Sequence, residues 1–135
     1  MILALIVSIS MTSLNCTPDT GTCGLLRAIL EDSVSTRVFK LNRHPELSIR
    51  FLDSNGQLDS CCTLKPVFGK KVEIIRKPAH DFPMRTLDIM VQRVEGNGKK
   101  YKVHYFQPST GAVGYILLRK GNTAFKVTKV IYTQY

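Results

Sequence analysis

The chain has 135 residues, 44% of them hydrophobic, and its 19 Lys and Arg residues oppose 10 Asp and Glu residues for a net charge of +9. This length and composition predict one globular domain with an ordinary core. They exclude a low-complexity or disordered chain, because no biased tract, long run of like charges or internal repeat is present.

The chain begins with an apolar run that carries no charge before Asp19. A run of about ten apolar residues is too short to cross a bilayer, which takes about twenty, and is typical of a secretory signal peptide. We therefore expect residues 1–15 to be a signal peptide, residues 16–135 to be a single β-rich domain, and the protein to be secreted. The alternative is a buried first strand or helix, since no Lys or Arg precedes the run.

The cysteines also indicate a secreted protein. The chain has four cysteines after the apolar run, at Cys16, Cys23, Cys61 and Cys62. An even number of cysteines behind a secretory signal is typical of a disulfide framework. Adjacent cysteines rarely bond to each other, so each of the first two should bond to one of the last two. The spacing is not that of a zinc finger or ribbon, and we expect neither a metal nor a cofactor.

A glycosylation sequon begins at Asn15, where Asn-Cys-Thr matches the acceptor pattern for N-linked glycans. Its middle residue is one of the cysteines expected to form a disulfide.

One short helix is predicted near the N-terminus. It begins at Cys23 after a possible Thr22 cap, and its apolar residues recur at helical spacing: Leu25, Leu26, Ile29 and Leu30. Cys23 shares the face of these residues, so its sulfur should be buried.

From Arg37 onward the apolar residues recur mostly with period two, which predicts strands. We expect strands over residues 37–41, 47–51, 58–64, 70–77, 87–91, 101–106, 115–118 and 125–132. Asn55-Gly56 predicts a hairpin between the second and third of these. About eight strands with short connections predict a mainly β domain, as an antiparallel sandwich or small barrel. The alternative is an α+β roll, with the helix packed on a curved antiparallel sheet.

The expected strand over residues 58–64 also orients two cysteines. Alternation places Cys62 on the apolar face and Cys61 on the polar face. Matching buried sulfur to buried sulfur predicts the pairs Cys23–Cys62 and Cys16–Cys61.

Basic residues cluster in the C-terminal half of the chain, where several fall at strand ends and turns. The candidates for anion binding are Lys99, Lys100, Lys102, Arg119, Lys120, Lys126 and Lys129. A surface of this sign attracts nucleic acid, sulfated glycans or acidic proteins and membranes. The alternative role is solubility and protection of sheet edges. Phe106 shares the face of Lys102 and His104, and this single aromatic gives limited support to nucleic-acid binding.

The histidines allow one enzymatic hypothesis. His80 and His104, near a lysine, could perform the acid-base cleavage of RNA in a small secreted hydrolase. The sequence has no Gly-x-Ser-x-Gly, no His-Glu-x-x-His and no phosphate-binding glycine loop.

We therefore expect a secreted binding or effector protein without catalysis, which acts on an extracellular or host partner, and the surface charge favours an anionic one (glycan, nucleic acid or acidic protein). The alternatives are the ribonuclease-like hydrolase, a carrier of a small apolar ligand in a barrel cavity, and a structural subunit of a viral or other assembly. The sequence leaves the oligomeric state open and predicts no stable membrane span.

Overall fold

The computed structural model describes residues 21–43, 48–59 and 62–134. Two helices come first, α1 (Gly21–Glu31) and α2 (Ser33–Phe39). The strands that follow are β1 (Ser48–Asp53), β2 (Lys71–Arg76), β3 (Asp88–Gly96), β4 (Lys100–Gln107), β5 (Ala112–Lys120) and β6 (Phe125–Gln134). The domain is mainly β, as the sequence predicts.

The strands form one open sheet of six strands in the order β2-β1-β3-β4-β5-β6. Strand β1 runs parallel to both of its neighbours, whereas β3 to β6 form an antiparallel meander. The prediction of a closed barrel or sandwich of about eight strands is therefore wrong for the described part of the chain. Helices on one face of a single sheet are nearer to the alternative roll, although the sheet is mixed.

The predicted strand over residues 37–41 is also wrong, because these residues belong to α2 and the turn after it. Asp32 caps this helix, and its Oδ2 accepts hydrogen bonds from Ser35 N at 2.9 Å and Ser35 Oγ at 3.1 Å. The helix ends at Phe39 and is capped by Lys40, whose backbone is left-handed with φ 56°. The apolar residues of this segment are therefore buried in the core as part of a helix and the turn after it, not as part of a strand.

The Asn55-Gly56 turn does not make the predicted hairpin. The buried carboxylate of Asp53 accepts hydrogen bonds from Gln57 N at 3.0 Å and Leu58 N at 2.9 Å. These bonds satisfy backbone donors that a returning strand would offer to β1. Residues 58–59 and 62–64 consequently lie outside every strand, in the connection that leads to the parallel strand β2.

The core lies between the helices and one face of the sheet, which we call the inner face. Helix α1 buries Leu25, Leu26 and Ile29 there. The Phe39 and Tyr105 rings meet edge to face, with centroids 4.8 Å apart. Full burial of such an apolar side chain stabilises the fold by about 1.5–3 kcal/mol. The opposite face of the sheet, which we call the outer face, is free of helices in the described part of the chain.

Cys23 and Cys62 form a disulfide, which confirms the predicted pairing. Their Cα atoms are 5.4 Å apart, and the bond ties α1 to the connection between β1 and β2. Cys16, Cys61 and Asn15, together with the expected signal peptide, lie outside the described residues. The second disulfide, the glycosylation site and the signal peptide therefore stay predictions.

Candidate anion-binding face

Strand β4 places its basic side chains on the outer face of the sheet. Tyr105 and Val103 point into the core, so the alternate residues Lys100, Lys102 and His104 point away from the helices. Phe106 continues this set toward the other end of the strand.

The strand register aligns these cations with others on β5 and β6. Lys100 pairs with Arg119, which in turn pairs with Lys126. Two residues further along β4, Lys102 pairs with Leu117, which pairs with Lys129. We call these two lines of residues the basic rows. Because neighbouring strands are about 4.8 Å apart, the first row holds three cations side by side.

The two remaining candidates lie at the same end of the sheet. Lys99 is in the turn between β3 and β4, and Lys120 is the last residue of β5. Lys120 N donates a hydrogen bond to the Lys99 carbonyl oxygen at 2.8 Å, which joins the two segments. All seven predicted residues thus belong to β4, β5, β6 or the turn before β4, but Lys120 pairs with the buried Phe125 and follows the inner-face alternation, unlike Arg119.

No Asp or Glu occurs in the segment of the sequence that carries these seven residues. From Gly96 to the C-terminus the sequence has the seven Lys and Arg residues just described and no Asp or Glu. None of the seven has an ion-pair partner among the described residues. Their charge is therefore available to a ligand.

Glu95, near the end of β3, places a carboxylate on the cross-strand partner of Lys102. Its Oε1 lies 2.6 Å from His104 Nε2 and 3.4 Å from Arg93 Nη2. A carboxylate only accepts hydrogen bonds, so His104 Nε2 is the donor. This hydrogen bond lowers the pKa of Glu95, and the charges of Arg93 and Lys102 add to the effect. Glu95 is thus occupied by partners at the margin of the basic rows.

Aromatic rings adjoin the basic rows on the same face. Tyr115 is the cross-strand partner of His104, and the centroids of the two rings are 5.9 Å apart. Lys102 Nζ lies 4.6 Å from the Tyr115 centroid, in cation–π contact. Phe106 comes next along β4 and is paired with Val113. Both Tyr115 and Phe106 are partly exposed.

Sequence reasoning missed Tyr115 and Glu95 as members of this face. The signal for Tyr115 was the alternation of Tyr115, Leu117 and Arg119 in a strand that looked apolar on both sides. The positions opposite these residues depend on strand register, which a single sequence does not reveal.

The two histidines have different surroundings. His80 lies in the loop over residues 77–87 and lines a shallow groove with Phe82 and Met84. His104 does not line that groove and contacts Glu95, Arg93 and Tyr115 instead. The acid-base role of the two histidines stays a prediction, and no contact between them supports it.

A buried ion pair between Arg50 and Asp88 holds the 77–87 loop over β1 and β3. Arg50 Nε and Nη2 donate to the two Asp88 carboxylate oxygens at 2.7 Å and 2.6 Å. Arg50 Nη2 also donates to the Pro83 carbonyl at 2.8 Å, and its guanidinium stacks on Phe82. Every buried side-chain polar atom in the described residues has a partner. This pair therefore fixes the 77–87 loop over β1 and β3. The loop does not cover the basic rows on β4 to β6.

Within the described ranges, no group of three or more His, Cys, Asp or Glu residues could hold a metal ion. No helix of the same ranges is long and apolar enough to span a membrane. Comparisons with protein-family models, curated proteins and solved structures gave no significant match. The function must therefore be argued from the chemistry of the site itself.

Proposed function

We propose that this protein is a non-catalytic binding protein that holds a linear polyanion, with repeated phosphate or sulfate groups, on the outer face of β4 to β6. The observation that carries the proposal is the first basic row, in which Lys100, Arg119 and Lys126 are aligned on three neighbouring strands. Like charges directly opposite each other destabilise a sheet, and a bound polyanion removes that repulsion.

Protection of sheet edges does not account for this arrangement. Strand β6 is an edge strand, so Lys126 and Lys129 are placed where lysines commonly block edge-to-edge aggregation. Lys100, Lys102 and Arg119 lie on β4 and β5, which have neighbours on both sides. Cations on these interior strands have no edge to protect, which favours a role in binding.

The partner is an extracellular or host macromolecule in this proposal. The Cys23–Cys62 disulfide is consistent with an oxidising, extracellular environment. A positive face raises the local concentration of an anionic partner and speeds its association, in a salt-dependent way. The carrier hypothesis loses its basis, because an open sheet provides no barrel interior in the described part of the chain.

The proposal is tested by comparing two variants that lose the same charge from different places. The triple variant K100Q/R119Q/K126Q empties the first basic row, and R37Q/R43Q/K65Q removes three exposed cations from elsewhere on the domain. We expect the first variant to elute from a heparin column at clearly lower salt than the second. Equal elution of the two variants would show that only net charge matters and would overturn the proposal.

A further inference from the structure

We infer that the polyanion is a single-stranded nucleic acid, whose phosphates lie on the basic rows while its bases stack on Tyr115 and Phe106. The inference rests on the proposed function and adds the class of ligand to it.

The outer face changes from basic to aromatic along one strand. Lys100, Lys102, His104 and Phe106 are alternate residues of β4, and successive members are about 6.7 Å apart. A single strand of nucleic acid needs cations for its backbone and flat apolar surfaces for its unpaired bases. The β4–β6 face provides both kinds of surface side by side.

Tyr115 is at the boundary between the two kinds of surface. Lys102 Nζ lies 4.6 Å from the centroid of its ring, and the His104 ring lies beside it on β4. A base that stacks on Tyr115 takes the place of Lys102 Nζ over the ring, and the displaced ammonium group stays within reach of the phosphate of that base. Aromatic residues with this position relative to cations are the usual means by which proteins bind single strands without sequence preference.

Other occupants fit the face less well. In a duplex the bases are already paired and stacked, so the rings would have no exposed base face to contact. A sulfated glycan would use the basic rows and leave Tyr115 and Phe106 without a role. A second copy of the chain would place one basic face against another, which like-charge repulsion opposes.

The test measures binding of fluorescein-labelled oligo(dT) of about fifteen nucleotides, a length within the known range of single-strand sites. The same titrations are made with a labelled heparin fragment and with a DNA duplex of equal length. The proteins are the wild type, Tyr115→Leu, Tyr115→Phe and the matched control Tyr132→Leu. Tyr132 is 43% exposed and belongs to the opposite face, because its cross-strand partner is Gly114.

We expect Tyr115→Leu to weaken oligo(dT) binding about tenfold, which lies within the range of roughly fivefold to 150-fold that the stacking of one base contributes. The slope of log affinity against log salt should stay the same, because no phosphate contact is lost. Heparin binding should not change in this variant. Tyr115→Phe and Tyr132→Leu should both bind oligo(dT) like the wild type, and wild-type affinity for the duplex should be lower.

Two results would overturn the inference and leave the proposed function standing. One is unchanged oligo(dT) binding by both Tyr115→Leu and a second variant, Phe106→Leu. The other is an equal loss of oligo(dT) and heparin binding, which would show that Tyr115 only supports the sheet. Phe106→Leu decides the matter if thermal melting shows that Tyr115→Leu is unfolded. If the wild type binds neither oligo(dT) nor the heparin fragment, the proposed function itself is overturned.

Discussion

Lys100 and Arg119 lie directly opposite each other on the neighbouring antiparallel strands β4 and β5. Lys126 extends the row onto β6, so Arg119 has a cation on each side. Opposed like charges on a sheet reduce stability, and exposed charges are screened by salt. The basic rows should therefore lower the free energy of unfolding of the protein when no polyanion is bound.

Arg119→Gln should raise the free energy of unfolding at low salt by about 0.2–1 kcal/mol, because it removes repulsion from both neighbours. The gain should shrink in high salt, where exposed charges are screened. Urea denaturation at two salt concentrations measures both effects. Arg37→Gln in α2 is the control and should show no comparable salt-dependent gain. A loss of stability in Arg119→Gln at low salt would contradict the repulsion argument.

Glu95→Gln should strengthen polyanion binding, because it removes the carboxylate at the margin of the basic rows. We expect a gain of roughly twofold to fivefold in affinity for a heparin fragment at neutral pH, the size of an exposed charge interaction. Fluorescence anisotropy titration measures it. An unchanged or weaker affinity would place the polyanion away from β3 and the start of β4.

The pH dependence of Glu95 follows from its lowered pKa. The hydrogen bond from His104 holds the pKa of Glu95 below the ordinary value of 4.5. Its contribution to stability is therefore present above pH 4.5 and lost as pH falls through the lower, folded value. Wild-type polyanion affinity should rise in that same acidic range, and Glu95→Gln should lack this rise. An equal rise in both proteins would assign the effect to another group.

The Cys23–Cys62 disulfide closes a loop with a sequence separation of 39. Closing a loop of this length restricts the unfolded chain, and the entropy model gives a stabilisation of about 4 kcal/mol. The double variant C23S/C62S should lose roughly 2–4 kcal/mol in the free energy of unfolding, measured by urea denaturation. A double variant as stable as the wild type would show that packing alone fixes α1 on the connection.

Asp88→Ala should destabilise the fold by about 3–5 kcal/mol, because it leaves the buried Arg50 guanidinium without its charge partner. The double variant R50L/D88L should lose much less, since it leaves no unpaired charge. Denaturant unfolding of the two proteins gives the comparison. Equal losses in the single and double variants would show that the Arg50–Asp88 pair stabilises the fold through its own attraction.

Local patterns in the sequence predicted the parts of the fold whose signals are local. Helical spacing after Cys23 located α1, and alternation located β3 to β6. These predictions depend on neighbours within a few residues, which is the range over which periodicity is informative. The Cys23–Cys62 pair is also present as predicted, although residues 62–64 form no strand, so the alternation argument that led to it does not hold.

The errors arose where side chains redirect the backbone. The Asp32 cap begins a helix over residues 33–39, although the apolar spacing of residues 37–41 also fits a short strand. The Asp53 carboxylate binds the backbone after Asn55-Gly56 and leads the chain to a parallel neighbour. The basic residues of the site were predicted one by one, but their alignment into rows and the position of Tyr115 depend on register between strands.

The most direct test of the proposed function is a lysine acetylation footprint, read by mass spectrometry with and without a heparin fragment. We predict strong protection of the lysines at one end of the sheet: Lys99, Lys100, Lys102, Lys120, Lys126 and Lys129. The exposed lysines Lys65, Lys71 and Lys77 should stay reactive. Protection spread evenly over all lysines, or concentrated on the β2 side, would contradict the proposal that β4 to β6 form the binding face.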